Sequence, residues 1–372
     1  MLAATATLLV ACGGSDDATW NTLDGRKPLV IGHRGASGTL PEHTLEAYKL
    51  AIEQGADFVE PDLVLTKDGE LIARHEPMLD GTTDVAVKFA ASRKSTRNVD
   101  GVPTTAYFAS DFTLAEIKTL RALQSNARRS QAFNGLYGIP TLAEVIALSK
   151  AEGTRLGRTV GIYPETKHPT FHDGLFGKRV FEDKLVTALH AAYGNSASAP
   201  VFIQSFEVSN LQYLNTKTEI RLVQLIDADD VNADGSMSLV VPYRQPYDFV
   251  VAGDGRLFSD LLTDAGLTFV KSYADAVGPW KPYLLKTVAD GVERTGDTTL
   301  NINDRRVEGS TGVVERAHAK GLLVHTWTFR DDASGYGFKD PKLEMQAFFK
   351  LGIDGVFTDF PATGISARAG LE

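Results

Sequence analysis

Two carboxylates, Glu60 and Asp62, stand two residues apart in the apolar stretch FVEPDLVL. If that stretch is a strand, both project from one face, and the apolar flanks bury that face. Adjacent buried anions repel and persist only where a proton or a cation compensates them, and carboxylate oxygens on a strand suit a hard cation such as Ca²⁺ or Mg²⁺. The competing reading puts one of the two in solvent across a kink at Pro61. The pattern recurs in GIYPETK, where Glu165 and Lys167 are again two apart and again follow a proline. Glu165 could supply a third oxygen ligand. Lys167 would then enter the same pocket, where a lone ammonium is costly unless an anion sits opposite; an exposed strand end is the alternative.

Imidazoles accompany these groups. His33 closes the run PLVIGH beside Arg34, and His75 follows the hairpin-like TKDGELIARHEP. Histidine is the side chain whose proton moves most readily near neutral pH, so two of them flanking a reacting group could act as general base and general acid. Metal ligation is the runner-up, and each histidine taken alone reads as a hydrogen-bonded packing residue. Arg34, always charged and able to grip an oxyanion with two donors, fits a phosphate better than a neutral substrate. Ser205, in QSF, lacks the glycines of a nucleophile elbow, which disfavours triad chemistry.

Such residues need a scaffold that brings distant strand ends together. Eight runs read as strands: PLVIGH, ADFVEPDLVL, TVGIYPETK, APVFIQSF, IRLVQLI, ADAVGP, LLVHTWTF and DGVFTDF. Helical periodicity separates several of them, as in GKRVFEDKLVTALHAAYG and DPKLEMQAFFKLG, and the spacing predicts a helix over 41–55 with Leu45, Tyr48 and Ile52 on one face. This alternation predicts an α/β fold, a (β/α)8 TIM barrel with its site at the carboxyl ends of the strands. A doubly wound open sheet is the rival, but GHRGAS lacks the G-x-G-x-x-G spacing of a dinucleotide turn. Residues from about 80 to 137, rich in Ser, Thr, Arg and Asn, break the period and read as an insertion over the barrel mouth after the second strand.

A formal charge of −9 over 372 residues argues against nucleic acid as partner, so an anionic substrate needs locally reversed charge. The single cysteine, Cys12, excludes an intramolecular disulfide. It ends the short apolar stretch MLAATATLLVAC, and LVAC resembles the bacterial lipobox. That resemblance implies a signal peptide over 1–12, a lipid on Cys12, a linker over 13–26 and an exported protein, periplasmic or anchored to a membrane surface through lipid alone, with the barrel domain over 27–372. The missing basic n-region is a departure, and a cytoplasmic disordered tail is the alternative.

The stretch HRGASGTLPEHTLEAYKLAIEQGADFVEPDLVLTKDGELIARHEP carries HRG, PE-x-T, E-x-D and T-K-D-G in order, and it resembles the signature region of the glycerophosphodiester phosphodiesterases. YPETK, QSF, VHTWTFR and DGVFTDFP resemble later blocks, so the likeness runs from about Lys27 to Pro361; the long insert and GIYPE resemble the periplasmic branch. The resemblance implies a TIM barrel that cleaves glycerophosphodiesters, such as glycerophosphocholine or glycerophosphoethanolamine, to sn-glycerol 3-phosphate and an alcohol. It implies that Glu60, Asp62 and Glu165 bind a divalent cation, Ca²⁺ ahead of Mg²⁺, that His33 and His75 are the acid and base, and that Arg34 and Lys167 hold the phosphate. Glu76 stands where the family usually has Asp, which bears on how His75 is positioned. Glu42 is expected to anchor the loop before the first helix. Trp327 and His325 share a strand face and are expected to line the substrate pocket or the barrel core. The rival functions are a lipoprotein of this fold that binds ligands without turnover and a phosphodiesterase acting on lysophospholipids or phosphoinositide-like heads.

Overall fold

The apolar runs become strands, and two of them are broken by their prolines. In the computed structural model, which describes residues 20–232, 234–294, 296 and 298–372, β1 is Leu29–Gly32. β2 comprises Phe58–Val59 and Asp62–Leu65 on either side of Pro61, and β3 comprises Gly161–Ile162 and Glu165–Thr166 around Pro164. Proline has no N–H to give to a ladder, yet the pairing carries across both breaks through Glu165 N–H donating to the Pro61 carbonyl at 3.1 Å. The remaining strands are β4 (Phe202–Ser205), β5 (Arg221–Ile226), β6 (Ala276–Pro279), β7 (Leu323–Phe329) and β8 (Gly355–Thr358).

Each pairs in parallel with the next in chain order. β8 returns to β1, Leu29 opposite Gly355 through Gly32 opposite Thr358, so the sheet closes on itself and the open doubly wound alternative is excluded. A short strand, Leu71–Ala73, folds back antiparallel on β2.

Strand periodicity builds the interior in layers. Ile31, Phe58, Tyr163, Phe202 and Phe357 point inward and pack into one apolar cluster with Val223 and Ala276; the Tyr163 and Phe202 rings stack with centroids 4.9 Å apart. Two residues further along the same strands come His33, Glu60, Glu165, Gln204 and Asp359, all buried. An aromatic floor therefore lies directly beneath a polar layer, because side chains two apart share a face. Outside the strands, helices such as Leu142–Leu156, Val180–Tyr193 and Pro341–Leu351 cover the barrel with one continuous apolar cluster.

The first helix is Leu45–Glu53, four residues shorter at its start than the spacing predicts. Thr44 caps it by accepting from Ala47 N–H at 3.1 Å, and His43 sits in the left-handed region with φ +54°, so residues 41–44 form a loop. The segment after Leu71–Ala73 has its own small apolar core around Leu79, Val85, Phe112 and Ile117 and a hairpin, Ser95–Val99 with Val102–Ala106, that reaches the barrel mouth. No helix among the described residues is long and apolar enough to cross a membrane. Cys12, the signal segment and the first half of the expected linker, residues 13–19, lie outside the described residues.

Candidate active site

The kinks at Pro61 and Pro164 bring the acidic side chains of β2 and β3 together. Glu60, Asp62 and Glu165 each offer a carboxylate oxygen within 4.8 Å of the others, all buried. Asp62 is therefore not in solvent across the kink. It is 1% exposed, its Oδ2 lies 3.0 Å from His43 Nε2, and its Oδ1 has no hydrogen-bond partner. Glu60 accepts from Arg34 N–H at 3.0 Å and from Gln204 Nε2 at 2.6 Å.

Burial raises Glu60 well above the usual carboxylate range, and Asp62 and Glu165 add to the rise. Burial likewise raises Glu165 to about 7, with Lys167 opposing and Asp62 reinforcing it. Burial acts in the same sense on Asp62, but the His43 beside it, with His75 and Lys167, holds it well below its ordinary value. Converging buried carboxylates with an orphaned oxygen are the donor set of a hard cation, so the residues fit a divalent metal.

Cationic donors face the cluster. Arg34 adopts φ +57° in the turn after β1, a conformation costly for a non-glycine residue. It places Nη1 3.1 Å from Glu42 Oε2 and Nε 3.6 Å from Asp62 Oδ2, and that Nε is buried without a hydrogen-bond partner. Gly35 permits the turn, since a Cβ there would meet the Ala47 backbone at 2.7 Å. Lys167 Nζ lies 2.9 Å from Glu165 Oε1 and 3.3 Å from His75 Nε2. Glu42 anchors its loop by this ion pair with Arg34, as expected, while the helix cap itself is Thr44.

Each histidine is oriented by a carboxylate on Nδ1. His33 Nδ1 lies 2.5 Å from Asp359 Oδ1, and Asp359 Oδ2 accepts from Arg129 Nη2 at 2.6 Å and Arg330 Nε at 2.9 Å. His75 Nδ1 lies 2.9 Å from Glu76 Oε1. An acceptor-only carboxylate keeps the proton on Nδ1 and leaves Nε2 as the free lone pair. Burial lowers His33 to about 4, with Arg34 assisting. Burial also lowers His75 to about 3, assisted by Arg34 and Lys167. Both are neutral at physiological pH.

A cleft of 420 Å³ opens from this cluster toward solvent, lined by Arg34, His75, Glu165, Lys167, Phe206 and Trp327, and by Val99, Asp100 and Val102 of the hairpin. Trp327 holds its place by donating Nε1–H to the Gly278 carbonyl at 2.7 Å. His325 does not line the cleft. It lies one interior layer deeper, 0% exposed, with Nδ1 2.7 Å from the Tyr163 hydroxyl, because two residues on the same inward face of β7 occupy successive layers.

Sequence reasoning missed His43, Gln204, Asp359, Arg129 and His168. Gln204 and Asp359 carried a signal, since each follows an inward aromatic by two residues in a quoted run. Arg129 carried none, because its partner is 230 residues distant.

Residues 33–363 match the glycerophosphoryl diester phosphodiesterase family. The chain is 37% identical over 360 residues to a glycerophosphodiester phosphodiesterase of Arabidopsis thaliana, covering 92% of this chain and 86% of that one. It is 31% identical over 389 residues to one of Haemophilus influenzae, covering 99% and 97%. Among solved structures, an Oleispira antarctica phosphodiesterase in complex with the product sn-glycerol-3-phosphate aligns with TM-score 0.58 at 19% identity, covering 94% of this chain and 99% of that one. At that identity the structure speaks for the barrel, whereas the sequence matches span nearly the whole chain and assign the chemistry class. The chain belongs to the glycerophosphoryl diester phosphodiesterase family and is an enzyme of it.

Proposed function

We propose that the enzyme hydrolyses glycerophosphodiesters to sn-glycerol 3-phosphate and an alcohol by proton transfer at His33 and His75 around a cation held by Glu60, Asp62 and Glu165. The observation that carries this reading is the pair of neutral imidazoles, His33 buried and His75 half-buried at the cleft, each held on Nδ1 by a carboxylate, beside one buried acidic cluster. When bound, a divalent cation draws charge from the nonbridging oxygens and polarises phosphorus. Ca²⁺ is the ion proposed, because it accepts irregular oxygen cages, and Mg²⁺ is the rival.

Arg34 and Lys167 aim donors at the same oxygens and locally reverse the negative field of the protein. His33 takes the proton of the nucleophile, either water or the neighbouring glycerol hydroxyl, at its free Nε2. The new bond forms to phosphorus as the bond to the alcohol oxygen breaks: attack by water gives sn-glycerol 3-phosphate directly, whereas attack by the glycerol hydroxyl gives a cyclic diester that a water molecule, deprotonated in its turn, opens to the same product. His75 gives that oxygen a proton from Nε2. Arg34 and Lys167 assist burial in lowering His75, and a phosphate anion seated between them offsets their effect, so substrate itself favours the protonated acid.

Release of sn-glycerol 3-phosphate from glycerophosphocholine tests the assignment. His33→Ala and His75→Ala should each lose roughly 10²- to 10⁴-fold in turnover, and full turnover by either overturns it. Ca²⁺ and Mg²⁺ added separately to chelated enzyme decide the ion. We also propose that residues 1–12 direct export and that Cys12 carries lipid, supported by the run LVAC; mass spectrometry of the membrane fraction tests this.

A further inference from the structure

The carboxylate that follows His75 reaches two imidazoles at once. Glu76 Oε1 lies 2.9 Å from His75 Nδ1, and its Oε2 lies 3.1 Å from His168 Nε2. His168 Nδ1 in turn meets Asp100 Oδ2 at 2.8 Å. Four side chains thus form an unbroken chain from the imidazole at the cluster to the tip of the hairpin Ser95–Val99 and Val102–Ala106.

The chemistry of each link is complementary. Burial opposes a charge on His168, but Asp100 and Glu76 outweigh burial and raise it to about 10. His168 is therefore an imidazolium at neutral pH, donating from both nitrogens, and the hydrogen bonds from His168 and His75 outweigh burial to hold Glu76 well below the ordinary carboxylate range. Glutamate at position 76 carries its carboxylate one methylene further from the backbone than the aspartate usual in the family, and from there it meets both rings. The departure from the family pattern thus coincides with the contact to a second histidine.

The backbone commits to the same contact. Asp100 (φ +48°) and Gly101 (φ +87°) are the central residues of the hairpin turn, an Asp-Gly pair suited to two positive φ values, and Gly101 N–H donates to Asn98 Oδ1 at 2.7 Å. His168 (φ +47°) also lies in the left-handed region, immediately before Pro169 opens the helix Pro169–Phe176. Two non-glycine residues in this conformation meet each other at the rim of the cleft, where such strain persists only if the surroundings hold it.

We propose that His168 and Asp100 are positioning residues for the general acid, holding Glu76 so that Glu76 fixes the His75 ring, and that the insertion hairpin thereby sets the geometry of proton delivery. This rests on the reading of His75 as the acid.

The test uses the full chain and two esters of glycerol 3-phosphate, the choline ester, whose leaving alkoxide needs a proton, and the p-nitrophenyl ester, whose leaving phenolate does not. The variants are His168→Asn and Asp100→Asn, since Asn tolerates the left-handed region, with His75→Ala as the benchmark and melting temperature as the check on folding. On the choline ester kcat should fall about tenfold or more with KM changed by less than about threefold, the size expected when an orienting partner is lost. On the p-nitrophenyl ester the loss should shrink to within about threefold, in parallel with His75→Ala. Wild-type kcat on the choline ester in both variants overturns the relay, as does equal loss on both esters when His75→Ala discriminates between them. If His75→Ala itself loses equally on both esters, the acid assignment fails; the positioning role then stands when the two variants track His75→Ala on each ester and falls when they do not. If His168→Asn does not fold, Asp100→Asn, at the hairpin tip, decides by the same criteria.

Discussion

Asp359 Oδ1 sits 2.5 Å from His33 Nδ1 while its other oxygen is gripped by Arg129 from the insertion and Arg330 from the end of β7. Burial would raise the Asp359 carboxyl, but His33, Arg330 and Arg129 hold it well below its ordinary value, so it stays an acceptor and keeps the His33 proton on Nδ1. Asp359→Asn presents an amide that can turn a donor to the ring and favour the other tautomer. The expected outcome is a fall in kcat of about 10²-fold or more in enzyme that still folds, with the melting temperature lowered because Arg129 and Arg330 lose their shared anion, measured on glycerophosphocholine. Wild-type turnover would remove Asp359 from the account.

Removing one carboxylate from the cluster should have opposite effects with and without an ion. Glu60 is pushed up by burial and by its two acidic neighbours, so in chelated protein Glu60→Gln relieves repulsion and should raise stability by about 1 kcal/mol or more. With saturating Ca²⁺ the order should invert, because a ligand bound only by the folded state stabilises it and the variant has lost a ligand. Melting curves of both proteins in EDTA and in Ca²⁺ give the sign directly. A variant less stable under both conditions would sink the idea.

Glu42 offers a pH test. Despite burial, Arg34 lowers it from 4.5 to about 2. A carboxylate whose folded value is depressed contributes stability above its unfolded value and loses it as pH falls through the folded one. The stability difference between wild type and Glu42→Gln should therefore be largest above about pH 4.5 and shrink toward pH 2. Denaturant melts across the acid range measure it, and a difference independent of pH would contradict the ion pair as its source.

Trp327 and His325 should separate cleanly. Trp327 lines the cleft and packs edge-on to Phe206 with centroids 5.8 Å apart, so Trp327→Ala should raise KM for glycerophosphocholine by roughly tenfold, about 1.4 kcal/mol of lost contact. His325→Phe removes the partner of the buried Tyr163 hydroxyl and should cost about 1–3 kcal/mol of stability with kcat and KM unchanged. A kinetic defect in His325→Phe would show that the interior layer is coupled to the cleft.

The barrel was legible because each strand announces itself locally. Runs such as IRLVQLI and DGVFTDF are bounded by breakers, and each became a strand at nearly its quoted limits. The acidic cluster was legible for a related reason, since Glu60 and Asp62 lie two apart within one run and Glu165 repeats the context in the next. Contacts that span the molecule were not. Nothing near Arg129 points to Asp359, and nothing in PEHT marks His43 as the partner of Asp62, because a loop's trajectory is set by the packing of both its ends. The start of the first helix was misplaced for the same reason, as His43 turns left-handed to reach Asp62 and ends the helical periodicity before Thr44.

The rings of Phe58, Tyr163, Phe202 and Phe357, Tyr163 stacked on Phe202 and edge-on to the other two, floor the barrel below the carboxylates. Ion, diester and products then come and go from the mouth side of the barrel, where a diester seated on Arg34 and Lys167 would cover an ion lodged beneath it. Loading must run cation before diester, and departure must run in reverse, so saturating sn-glycerol 3-phosphate should slow the stripping of the ion by a chelator. A stripping rate indifferent to that product would mean that the bottom of the barrel leaks.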